Sequence, residues 1–201
     1  MLASFKDILK YMKVIYFATT NKEKIQIAKT VCSEAKITVK PVCLDIHEIQ
    51  GEDSEIIVRA KAKSAYEKLG IPVVVSDDTW DIRALNGFPG AYMKSINYWF
   101  KPEDFIRLMQ GIRDRQVILH QYLAYTDGGI TKVFKNDIKG QIIDEARGKN
   151  ERSPNMTVIV LDSDNGKTIA EVLERGEKLV VERYRNSPDA WHKFVDWYKQ
   201  D

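Results

Sequence analysis

Hydrophobic positions along this 201-residue chain follow two different periods. Val14-Ile15-Tyr16-Phe17-Ala18 is a continuous apolar run suited to a buried strand, and Thr19-Thr20-Asn21 breaks it. Residues 22–35 then place Ile25, Ile27, Ala28, Val31 and Cys32 close to helical spacing, which predicts a strand–loop–helix opening. Residues 37–44 read as a second strand and residues 46–51 as a loop. Residues 54–69 predict a helix with one face of Ile56, Ile57, Ala60, Ala65 and Leu69, Ser54 as N-cap and Gly70 as its stop. Ile71-Pro72-Val73-Val74-Val75 predicts a strand ending in Ser76-Asp77-Asp78-Thr79, which would bring two adjacent carboxylates to the rim of a sheet. A short helix over residues 81–85 is expected before the Gly87-Phe88-Pro89-Gly90 turn. A further helix over residues 102–109 has proline in its first turn.

The second half changes character. Residues 117–126, 131–139 and 156–161 read as strands, joined by turns such as Thr126-Asp127-Gly128-Gly129, and a terminal helix covers residues 188–199. The expected fold class is α/β: a mixed twisted sheet with flanking helices and two lobes around a central cleft, one lobe richer in antiparallel strands. Residues 12–201 are expected to form a single domain of two lobes. Residues 1–11 read as a short N-terminal extension, because Met12-Lys13-Val14 looks like a second start.

Composition narrows the function. Lys+Arg 31 against Asp+Glu 29 leaves a net charge of +2, which gives no support for a dedicated nucleic-acid binder. No apolar run approaches the roughly 20 residues that span a bilayer, so no membrane partner is expected. Lys6, Asp7 and Lys10 make the first residues too charged for a secretory signal. Cys32 and Cys43, with no CxxC pair and three histidines, make neither a disulfide framework nor a structural zinc site. The expectation is a cytoplasmic protein.

Three segments carry candidate chemistry. In the first, Thr19, Asn21 and Lys24 follow a strand and open a helix, where backbone N–H groups, the helix dipole and a lysine make an anion site. The same residues also suit a plain N-capping turn with solvated lysines. The second is Glu48-Ile49-Gln50-Gly51 with Lys61-Ala62: a loop acid that can share a metal with Asp78, and a lysine that can reach a phosphate or belong to a solvated helix face. In the third, Asp77 and Asp78 suit a divalent metal or a poised water, as well as a helix cap or Asx turn. The Gly-Phe-Pro-Gly turn follows them, with Lys94 beyond it.

Taken in order, these segments resemble the inosine triphosphate pyrophosphatase family, which hydrolyses nucleoside triphosphates carrying deaminated purines. The similarity rests on Thr19, Asn21 and Lys24; on Glu48-Ile49-Gln50; on Lys61-Ala62; on Asp77-Asp78-Thr79; and on residues 84–92, extending to Lys94 and Pro102. The resemblance implies conversion of a nucleoside triphosphate to the monophosphate and pyrophosphate by water attack at the α-phosphorus. It also implies Mg2+ as cofactor and a homodimer. Asp78 would be the catalytic carboxylate. Glu48, Asp78 and Asp77 would hold the metal, and Thr19, Asn21, Lys24 and Lys61 would hold the triphosphate.

The resemblance weakens in the base-binding segments. After Ala146-Arg147-Gly148 the chain continues Lys149-Asn150-Glu151-Arg152-Ser153-Pro154-Asn155, without the aromatic-rich segment or the aspartate that the family carries there. Glu182-Arg183-Tyr184-Arg185-Asn186 stands in the region of the family's Ser-His-Arg. Asn155, Arg183, Tyr184, Arg185 and Trp191 are the candidate replacements for base recognition. Two alternatives therefore stay open: the same reaction with altered base specificity, or a non-catalytic nucleotide-binding homologue. Tyr98-Trp99-Phe100 and the group Trp191, Phe194, Trp197 and Tyr198 have spacings that suit core or dimer packing.

Overall fold

In the computed structural model, which describes residues 13–46, 49–176 and 189–200, β1 (Lys13–Ala18) is flanked by β2 (Ile37–Val42) and β3 (Val73–Ile82), both parallel to it. α1 (Lys22–Glu34) connects β1 to β2, and α2 (Ser54–Leu69) connects β2 to β3. The chain thus leaves β1 to one side, returns to the other and covers both faces, which makes the gap beyond the end of β1 a topological switch point. From β3 the sheet turns antiparallel through β4 (Phe88–Gly90), β5 (Gln116–Thr126), β6 (Thr131–Ile142) and β7 (Ile159–Leu161). Among the described residues this gives a seven-stranded sheet in the order β2-β1-β3-β5-β6-β7, with β4 pairing the far end of β3. The mixed α/β expectation holds.

Three apolar groups hold the sheet and its helices together. On one face α1 packs with α6 (Ala190–Tyr198) over Phe17, Val74, Leu123 and Phe134. Farther along the same face, Trp80, Leu119, Ile142 and Leu161 meet α3 (Met93–Trp99), α4 (Pro102–Leu108) and α5 (Ile169–Glu174). Leu173 of α5 touches both groups, so they share a wall. On the opposite face α2 lays Val58, Ala62 and Ala65 over Val73, Val75 and Ala124.

Several elements differ from the sequence expectation. β3 does not end at the acids but runs through them, because β5 pairs with it without a break from Val73 to Ile82. That pairing, with β4 added at Trp80, Asp81 and Ile82, leaves only the single turn Arg83–Leu85 of the helix expected over residues 81–85. The N-cap of α2 is Asp53, whose carboxylate accepts from the N–H groups of Glu55 and Ile56. Ser54 Oγ instead donates to Thr79 Oγ1 at 3.3 Å. The buried face of α2 is Ile57, Val58, Ala62 and Ala65, while Ile56 is exposed. Residues 156–161 are half turn and half strand: Pro154–Thr157 is a 3-10 turn before the short β7. Helices α3 and α5 and strand β4 have too few periodic residues to be read from pattern alone. Among the described residues no helix is long and apolar enough to cross a membrane.

Candidate active site

The turn between β1 and α1 is built by its own side chains. Thr19 N–H donates to the carbonyls of Phe17 and Val42, tying the turn to β2. Thr19 Oγ1 accepts from Asn21 N–H at 3.2 Å, and Asn21 Oδ1 accepts from Glu23 N–H at 2.9 Å and Lys24 N–H at 3.2 Å. Asn21 is therefore the N-cap of α1, and the positive end of that helix dipole points out of the turn. Lys24, one helical turn in, reaches across to β3, where its Nζ lies 3.0 Å from Asp78 Oδ2.

Strand alternation separates the two acids. Successive side chains of a strand point to opposite faces, so Asp78 shares a face with Ser76 and Trp80, and Asp77 shares the other with Val75 and Thr79. Lys61 Nζ of α2 lies 4.0 Å from Asp77 Oδ1 on that second face. The structure thus brings Thr19, Asn21, Lys24 and Asp78 together and makes a second, separate pair of Lys61 and Asp77. Asp77 and Asp78 therefore point to opposite faces of β3. Glu48, Arg183, Tyr184 and Arg185 lie outside the described residues.

On the face of Asp78 lies a cleft of about 130 Å³. Its floor is a two-strand patch in register: Ser76 opposite Leu123, Asp78 opposite Gln121, and Trp80 opposite Leu119. Asn21, Glu23 and Lys24 wall the polar end. Met156, Leu161, Ile169 and Leu173 wall the other. Asp189 and Trp191 close the side formed by α6. The cleft is thus charged near the switch point and apolar one residue pair farther along the strands.

Burial tunes two of these acids. It pushes the Glu23 carboxyl above the ordinary glutamate range, against the pull of the Arg152 and Lys24 charges. Asp189, unlike the exposed Glu23, is a buried residue, and burial raises it despite the hydrogen bonds from His192. Its carboxylate caps α6 through His192 N–H at 3.0 Å and meets His192 Nδ1 at 2.7 Å, so His192 has a structural partner. Among the described residues no group of three or more His, Cys, Asp or Glu could cage a metal. The partly exposed carboxylate of Asp78 can supply one ligand to a hard cation, since Mg2+ takes one or two protein carboxylates and completes its shell with water and phosphate oxygens.

Asn155 is fully buried, and among the described residues neither atom of its side-chain amide has a hydrogen-bond partner, whereas its backbone N–H donates to Asn97 Oδ1 and its carbonyl accepts from Val158 N–H. It precedes Met156, which lines the cleft, and lies behind that wall rather than in it. Trp80, Gln121 and Glu23 were missed by sequence reasoning. The i, i+2 relation of Asp78 and Trp80 would have found Trp80 had the strand been drawn to its true length. Of the aromatic groups, Trp191, Phe194, Trp197 and Tyr198 pack in or against the core, whereas Tyr98 and Trp99 are 87% and 68% exposed.

These features define an α/β protein with a charged cleft at the switch point of its sheet. The model of the Ham1 family matches residues 15–193, and the chain belongs to that family. A Methanopyrus kandleri protein named dITP/XTP pyrophosphatase is 32% identical over 191 residues, covering 94% of this chain and 98% of its own. A Saccharolobus solfataricus protein of the same name is 32% identical over 130 residues, 65% of this chain and 68% of its own. Among solved structures, a HAM1 protein from Coxiella burnetii superposes with a TM-score of 0.76 at 20% identity, covering 94% of this chain and 100% of its own. The Staphylococcus aureus Ham1 protein gives 0.71 at 21% identity, covering 94% and 99%. These two likenesses concern the fold.

Proposed function

We propose that this chain hydrolyses deaminated purine nucleoside triphosphates (dITP, XTP and ITP) to the monophosphate and pyrophosphate. The observation that carries this reading is the polarity of the cleft, with the Lys24–Asp78 pair at the switch point and an apolar compartment beyond it. The names of the relatives, which match nearly the whole chain, support the same substrate class.

The chemistry follows from the residues at the polar end. The Thr19–Asn21 turn and the α1 N-terminus receive the triphosphate. Lys24 exchanges its contact with Asp78 for a phosphate oxygen, and Lys61 neutralises charge from the second face as pyrophosphate departs. Asp78, released from Lys24, orients a water and takes its proton while the water oxygen bonds to the α-phosphorus. The bond from that phosphorus to the α–β bridging oxygen breaks, and the oxygen leaves with pyrophosphate. Asp78 and Glu48 are the residues that would hold Mg2+, which supplies charge neutralisation on the phosphates when bound.

For the base, Asn155 offers what a deaminated purine needs. A buried amide with neither atom bonded costs about 1–3 kcal/mol per unsatisfied group. Its carbonyl can accept the N1–H and its NH2 can donate to the 6-oxo group that deamination creates. Arg183, Tyr184 and Arg185 remain candidate contributors. The exposed Tyr98 and Trp99 support a homodimer in which a second copy covers them. A mass measured by light scattering at one chain would remove that part. Two free cysteines, Cys32 buried and Cys43 exposed, support a reducing cytoplasm.

A panel of nucleoside triphosphates with Mg2+ and pyrophosphate detection tests the proposal. The deaminated purines should be the best substrates, and Asp78→Asn should lower turnover by about 10²–10⁴-fold, the range for a positioned acid–base group. Activity that survives Asp78→Asn removes the mechanism. A different best nucleotide removes the base assignment and leaves the reaction standing. Binding without turnover of any nucleotide leaves only a binding protein.

A further inference from the structure

We infer that Trp80 is the surface on which the base of the substrate stacks, and that it sets a preference for purines over pyrimidines. This rests on the reading of the cleft as a nucleoside triphosphate site. Trp80 lies two residues beyond Asp78 on the same face of β3, about 7 Å along the strand. That is the span of one pentose. A nucleotide whose α-phosphorus lies at Asp78 therefore brings its base over Trp80 and its cross-strand neighbour Leu119.

Other aromatic rings of the cleft are already committed. Trp191 stands edge-on to Phe17 at 4.9 Å and to Phe194 at 5.7 Å between ring centroids. Tyr122 has Lys135 over its ring at 5.6 Å. Trp80 packs among Met93, Phe105 and Leu119, is 5% exposed, and still lines the cleft. Among the described residues it pairs with no other ring and no cation. An indole held in place by packing loses little freedom when a base arrives, so its stacking energy appears in affinity. Met156, Leu161 and Ile169 give the rest of that compartment an apolar, adaptable wall. The larger π-face of a purine covers more of such a platform than a pyrimidine does.

The test uses the full chain with Mg2+ and compares wild type with Trp80→Phe and Trp80→Leu. For the best purine triphosphate, Trp80→Leu should raise KM about 5- to 100-fold, the range for losing one base–aromatic stack. Its kcat should stay within about threefold, inhibition by inorganic pyrophosphate should be unchanged, and the purine-to-pyrimidine ratio of kcat/KM should collapse. Trp80→Phe should keep KM within a few-fold. A folded Trp80→Leu with unaltered KM and purine preference overturns the assignment. If that variant does not fold, tryptophan fluorescence decides. Titration with the purine nucleotide should quench wild type more than Trp80→Phe, which keeps Trp191 in the cleft wall, and equal quenching of the two overturns it. Wild type that releases pyrophosphate from no nucleotide sinks the triphosphatase reading, and the Trp80 assignment with it. An active wild type with an unaffected Trp80→Leu sinks this inference alone.

Discussion

At the polar end of the cleft, Thr19, Asn21 and Lys24 come from a single turn and meet Asp78 on a neighbouring strand, whereas the apolar end takes Trp80, Met156, Ile169 and Trp191 from four separate elements. Local hydrogen bonds fix the first: Asn21 caps its own helix and Thr19 its own turn. Packing fixes the second, through the group that joins β3, β5, β7 and α5. Damage to the polar end should therefore appear in the chemical step with the fold intact. Damage to the apolar end should appear in stability and nucleotide affinity together.

The sharpest way to break that comparison is to remove one charge at each face of β3 in turn. Lys24→Met removes the cation that faces Asp78 and should lower kcat/KM about 10²–10³-fold, the usual loss for one donor aimed at developing charge. The Lys24–Asp78 pair is partly exposed, so thermal stability should change by no more than about 1 kcal/mol. Asp77→Asn alters the second face, where the partner is Lys61, and should leave kcat/KM within about tenfold of wild type. Steady-state kinetics beside thermal melts measures both. Equal losses in the two variants would mean that the two acids act as one site despite the alternation.

How much of this could be read from residues alone follows the same division. Thr19, Asn21, Lys24 and Asp78 are legible because short-range spacing determines their chemistry, and the structure gathers those four. The strand–helix opening, α2 and the long β5–β6 hairpin are legible because their apolar periods run for several turns or pleats. The opposite facing of Asp77 and Asp78 was missed through one error of length. A strand drawn to stop at Val75 hides the alternation that continues to Ile82. Reading Ser76-Asp77-Asp78-Thr79 as a rim ignored an antiparallel partner more than one helix away in sequence, and β5 supplies the hydrogen bonds that keep those polar residues in a strand. Base recognition was illegible for a different reason. Trp80 becomes suggestive only once packing shows it without a ring partner, and Asn155, one of several sequence candidates, stands out from the others only once burial leaves its amide unbonded.

A smaller effect concerns the wall that α5 gives the apolar end. Thr168 caps α5: its Oγ1 accepts from Glu171 N–H, while Glu171 Oε2 accepts from Thr168 N–H at 2.8 Å. Ile169 and Leu173 of the same helix line the cleft. The hydrogen bond from Thr168 N–H, helped by the Arg147 charge, holds the Glu171 carboxyl below the ordinary glutamate range. In the unfolded chain Glu171 titrates near about 4.3, so on acidification the unfolded state takes up the proton first. The capping contribution is therefore present above that value and is lost as the pH falls through the lower folded one. Glu171→Gln keeps an acceptor for Thr168 N–H but has no charge to lose. Plotted against pH, the Tm difference between wild type and Glu171→Gln should be constant at neutral pH and shrink below about pH 4–5. Under the same acid conditions KM for the purine triphosphate should rise more in wild type than in the variant, because the loosened helix belongs to the base end. A difference in Tm that stays flat down to pH 3 would show that the cap does not couple the apolar wall to proton uptake, leaving packing alone to hold it.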